Sequence, residues 1–131
     1  MKSEATCLDI WNKAKTVLDD AFVEEVRVNI SEYTKSDWAE MAEEARSLMT
    51  DIGNAAINGY DIESNESEML FDRLIEHINT WFFKVDKNYL IKTSPLLIMD
   101  PDHASFFNKF GNGTNLYIYR LVNRYIDKVE A

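Results

Sequence analysis

SDWAEMAEEARSLMTDIGNAAING (residues 36–59) is the stretch whose reading decides the fold. Ser36 is a helix-capping residue type, and Asp37 and Glu40 follow in the first turn, where the helix dipole favours acids. At 100° per residue, Trp38, Met41, Ala42, Ala45, Leu48, Met49, Ile52 and Ala56 fall on one apolar face. Asn58-Gly59 is a stop signal. The segment predicts a long amphipathic helix, which needs apolar neighbours to cover it.

Those neighbours are present on both sides. Towards the C-terminus, NGYDIESNES (58–67) reads as an inter-helix loop. A third helix begins near Asn65–Ser67, with Leu70, Phe71, Leu74, Ile75, Ile78, Trp81 and Phe82 on one face. The stretch from Asp86 to Asp100 is apolar without a helical period and contains Pro95, so it reads as irregular or extended. Asp100-Pro101 then reads as a cap and first helical residue, opening a short helix through Phe106, Phe107 and Phe110 to Gly111. Thr114 caps a last helix bearing Leu121, Val122, Tyr125, Ile126 and Val129.

Towards the N-terminus, Ser3 is a candidate cap for a helix from about Glu4, with Leu8, Trp11, Ala14, Leu18 and Phe22 at helical spacing. Phe22, Val26, Ile30 and Tyr33 continue that period, although Val26, Val28 and Ile30 also alternate as a strand would. Helix is the favoured reading. The expectation is a single domain over residues 1–131, mainly α, a compact bundle of four to five helices with one irregular or extended segment at about 86–100. The alternative is an α+β fold in which residues 26–33 and that segment form a small two-stranded element.

Charge narrows the function. The net charge is −9, which disfavours a phosphate backbone as partner. From Asp37 to Phe83 there are eleven acids against Arg46 and Arg73, whereas from Lys84 onward there are five acids and seven bases. The lone Cys7 makes no internal disulfide. The opening residues lack the apolar run of a signal peptide, and no apolar stretch is long enough to span a membrane. A reduced, cytoplasmic setting with no membrane and no direct nucleic-acid contact is the expectation.

Projection turns the acidic excess into stripes. Asp37, Glu40, Glu44 and Asp51 share an arc of about 60° on the second helix, and Glu68, Asp72 and Glu76 stand at i, i+4, i+8 on the third. Like charges so spaced repel. Met69 and Phe83 flank the second stripe as apolar residues within a charged rim, the pattern of interface anchors. The favoured function is a non-enzymatic acidic binding or inhibitor protein, of the immunity-protein, antitoxin or mobile-element inhibitor type. These nine residues would occlude a basic site on a toxin, nuclease or nucleic-acid-binding protein.

Catalytic motifs are sparse. His77 lies at the edge of the third helix's apolar face and reads as a half-buried, hydrogen-bonded histidine. His103 follows two capping aspartates without a ligand cluster. There is no phosphate loop or nucleophile elbow, and no cofactor or metal is expected. The enzyme alternative takes Glu40 and Glu44 with Glu68 and Asp72 as Mg²⁺ ligands. That outline resembles the all-helical nucleotide pyrophosphohydrolases, which pair acids on adjacent helices. Their usual second pair is three residues apart, however, and Glu68 and Asp72 are four apart. A third alternative is a self-associating module built on the aromatics from Trp81 to Tyr125.

Overall fold

The computed structural model describes residues 6–130. They form eight α-helices: α1 Cys7–Ala14, α2 Asp20–Ile30, α3 Lys35–Ile57, α4 Asn65–Trp81, α5 Lys87–Thr93, α6 Leu96–Met99, α7 Pro101–Asn108 and α8 Thr114–Glu130. There is no strand among the described residues, so the mainly α expectation holds and the two-stranded alternative does not.

The long helices meet where their apolar faces predict. Leu48, Met49, Ile52 and Ala55 of α3, Leu70 and Phe71 of α4, and Tyr117, Ile118, Leu121, Val122 and Ile126 of α8 are all buried in one core. Leu90 of α5 and Leu97 of α6 close it. Ile52 is fully buried at the centre. Ser67 and Thr114 are also fully buried, and both are satisfied. The Ser67 hydroxyl lies 2.7 Å from the Asp61 carbonyl and 2.5 Å from the Tyr117 hydroxyl, and Thr114 Oγ1 donates to the Gly111 carbonyl.

Local capping sets the helix starts. α3 begins two residues earlier than Ser36 suggests. Its cap is Thr34, whose hydroxyl accepts from the Asp37 amide at 3.1 Å while Asp37 accepts from the Thr34 amide at 2.9 Å. That reciprocal box satisfies two otherwise orphan donors. Ser64 caps α4, Asp86 caps α5 and Asp100 caps α7, with Pro101 as the first helical residue. Ile57 ends α3, and Gly59 at φ +69° turns the chain.

Two expectations are corrected. The segment 86–100 is neither irregular nor extended: it is α5 and α6, joined through Ser94-Pro95. Helices of 7 and 4 residues are too short to display a 3.6-residue period. The first helix is not continuous either. α1 passes into a 3₁₀ turn at Lys15–Val17, the backbone extends at Leu18 and Asp19, and α2 starts anew. Residues 26–30 are helical and lead into a turn before Tyr33. The proposed Ser3 cap lies outside the described residues, and Thr6 caps α1.

α3 also crosses the α7–α8 connection at very close range. An added Cβ on Gly53 would stand 2.8 Å from the Phe110 carbonyl carbon, and one on Gly111 would stand 2.8 Å from the Gly53 oxygen. Two glycines let these backbones touch.

A candidate ligand cleft between α3 and α4

α3 and α4 pack side by side, and their solvent edges leave a cleft of about 270 Å³ lined by Glu44, Leu48, Arg73, Glu76, His77 and Thr80. Leu48 is buried and forms an apolar floor. Over it, His77 of α4 points its Nδ1 at Glu44 Oε1 of α3, 2.7 Å away. The Trp81 indole donates to the same oxygen at 3.3 Å. The hydrogen bond from His77, helped by that from Trp81 and opposed by desolvation, holds the Glu44 carboxyl below its ordinary range. One turn along, Arg73 donates to Asp51 across the same helix pair at 2.9 Å.

Trp81 links the cleft to an aromatic group. Tyr33 lies edge-on to Trp81 at 5.7 Å between centroids and edge-on to the exposed Trp38 at 5.6 Å. The Tyr33 hydroxyl donates to the Trp81 carbonyl, and Asn29 Nδ2 donates to the Phe82 carbonyl at 3.0 Å. The end of α2 and the turn after it thereby satisfy carbonyls at the open C-terminal end of α4 and fix Trp81 beside Glu44.

The nine acidic-face residues are dispersed by this packing. Asp37 is engaged in the α3 capping box. Glu40 is exposed on α3. Glu44 and Asp51 face α4 through His77 and Arg73. An i, i+4, i+8 row advances about 40° per step round a helix, so the α4 stripe winds from one neighbour to the other. Glu76 lines the α3 side. Glu68 and Asp72 line a smaller recess against α8 with Arg124 and Lys128, and Lys128 reaches Glu68 at 3.5 Å. The acids therefore do not make one uninterrupted face. Met69 is 65% exposed. Phe83, expected as a surface anchor, is buried, with its ring 4.8 Å from Phe22 and 4.7 Å from Tyr89. Those rings come from α2 and α5, which α4's own projection does not show.

Neither alternative site is assembled. Glu44 lies at the α3 cleft, whereas Glu68 and Asp72 lie in the recess on the α8 side. Among the described residues no group of three or more His, Cys, Asp or Glu is placed to hold a metal ion. Of the late aromatics, Phe83, Phe106 and Tyr117 are buried, Tyr89, Phe107, Phe110 and Tyr119 pack half-buried against the core, and Tyr125 is exposed, so most of them serve the core. No helix among the described residues is long and apolar enough to cross a membrane.

Reading the sequence alone places His77 at a half-buried, hydrogen-bonded position but misses Arg73, Thr80 and the aromatic trio as parts of one site. The available signal is helical phase: His77 falls about 20° from Leu70 and Arg73 about 60° from it, at the border of the apolar face of α4. Which acids they would meet depends on how the helices cross.

Comparison with known proteins supplies one match. The family model described as the TipAS antibiotic-recognition domain matches residues 11–125, which takes in the six helices α2 to α7 whole, all but the first turn of α1 and α8 as far as Tyr125. Neither the curated proteins nor the solved structures give a match. With all of the helical core but Ile126, and the α3/α4 cleft, inside the matched span, the chain belongs to the TipAS antibiotic-recognition domain family.

Proposed function

We propose that this chain is a non-enzymatic recognition domain that binds a small-molecule antibiotic in the cleft between α3 and α4. Membership of an antibiotic-recognition family supports a small ligand. The observation that carries the location is the Leu48-floored cleft with Glu44, His77 and Thr80 converging on it. An apolar floor with a few fixed polar groups is the usual make-up of a ligand site. Its volume of about 270 Å³ is at the small end of such sites. It would hold one group of the ligand while the rest lies over Trp81 and Trp38. Of the acids expected to meet a basic protein, Glu44, Asp51 and Glu68 hold intramolecular partners. That favours a ligand in the cleft over occlusion of a basic protein surface.

The test is a fluorescence titration against a panel of structurally unrelated antibiotics, because Trp81 hydrogen-bonds a cleft residue and reports occupancy. Saturable quenching by at least one compound is expected. Thr80→Arg, which places a long side chain at an exposed cleft position, should weaken it by about tenfold or more, roughly 1.4 kcal/mol, with an unchanged melting temperature. Absence of saturable binding across the panel, or equal binding by Thr80→Arg, would overturn the assignment.

A further inference from the structure

We propose that the α3/α4 cleft selects ligands that carry a protonated amine and rejects carboxylates and phosphates. This rests on the cleft being the ligand site and adds the chemical class of what enters it.

The polar lining is one-sided. Arg73 is the one permanent cation of the lining residues, and it is committed to Asp51 at 2.9 Å. Glu44 receives both of its donors, His77 and Trp81, on Oε1. Its side chain is 49% exposed, and Oε2 takes no protein donor among the described residues. Glu76 is exposed and lines the same space. Two carboxylates thus stand beside one cation that is paired with Asp51.

His77 adds an independent observation. Its side chain is 9% exposed and its Nδ1 is engaged by Glu44. Among the described residues Nε2 has no protein partner, and no fully buried side-chain nitrogen or oxygen goes unpaired, so Nε2 keeps access to solvent where the residue lines the cleft. A carboxylate at Nδ1 accepts, so Nδ1 carries the hydrogen. In that tautomer Nε2 is the ring's acceptor. An otherwise buried imidazole with one open acceptor, two carboxylates and the Thr80 hydroxyl call for a ligand rich in N–H donors. An ammonium group supplies three such donors and the complementary charge. An anion would meet two carboxylates, Glu44 and Glu76, against a single cation, Arg73, whose charge Asp51 already balances.

The experiment uses three small probes with the same ring: phenethylamine, N-acetylphenethylamine and 3-phenylpropionate. Each is titrated into ¹⁵N-labelled full-length protein, following backbone amides by NMR. Phenethylamine should shift the amides around His77 and Thr80 saturably. The neutral and anionic probes should bind about tenfold more weakly or less, the usual worth of one charge-assisted hydrogen bond. Glu76→Gln should cut phenethylamine affinity severalfold and leave the fold intact. Equal or tighter binding of the acetylated or carboxylate probe overturns the inference, as does unchanged amine binding in Glu76→Gln. The two readings fail separately. An antibiotic displaced by Thr80→Arg but indifferent to Glu76→Gln removes the amine and keeps the cleft. One indifferent to both removes the cleft itself.

Discussion

Met69 and Phe83 show how residues with the same projected address diverge. Both fall on the polar side of α4 when that helix is drawn alone. Met69 stays 65% exposed, whereas Phe83, just beyond the helix end, is buried between Phe22 and Tyr89. Phe83→Ala should therefore cost about 3–5 kcal/mol, and Met69→Lys less than about 0.5 kcal/mol, in urea denaturation. Glu44 gives a pH prediction. His77's hydrogen bond lowers its pKa in the folded state. Its contribution is complete above the ordinary carboxylate range and is lost as pH falls through the lowered value. The urea midpoint should drop on acidification from pH 6 to about pH 3, and the drop should be smaller in Glu44→Gln. Because Glu44 is half exposed, the effect is modest.

At the scale of elements, the contact between α3 and the α7–α8 connection is the most demanding. Gly53 lies in the interior of a 23-residue helix, where alanine would ordinarily be favoured by about 1 kcal/mol. Here the Cβ would collide with the Phe110 carbonyl, a backbone group that cannot swing aside. Gly53→Ala should lower stability by about 1–3 kcal/mol despite its better propensity. A melting temperature equal to or above wild type would show that the two backbones separate freely. The short helices α5 and α6 follow the same logic in reverse. Each is too brief to stand alone and holds its shape through Leu90 and Leu97 in the shared core.

For the whole molecule, one core unites α3, α4 and α8, with Ile52 at its centre and α5 and α6 closing it. Unfolding should be a single transition, with far-UV circular dichroism and tryptophan fluorescence coincident. Ile52→Ala should shift both probes together, by about 2–5 kcal/mol. Separate shifts would mean that the N-terminal helices and the core unfold independently. The charge of −9 comes from the excess of acids between Asp37 and Phe83, on α3, α4 and the loop between them. Glu44, Asp51 and Glu68 stay half exposed while pairing with residues on neighbouring helices, and Asp37 is held by its own cap.

The sequence by itself determined the long helices, because 17 to 23 residues of apolar periodicity leave little choice of secondary structure. It determined most of the core as well: Leu48, Met49 and Ile52 of α3, Leu70 and Phe71 of α4, and Leu121, Val122 and Ile126 of α8 stand on the predicted faces. Asp100 is legible as a cap because Pro101 follows it, whereas Asp86 caps α5 without such a marker. The break after Val17 and the two helices within 86–100 were out of reach, because segments of a turn or two carry no measurable period. The cleft belonged to tertiary structure alone. Glu44 and His77 are 33 residues apart, and their pairing depends on the crossing of α3 and α4. A single helix's projection holds the phase of each side chain but not the face of the helix opposite.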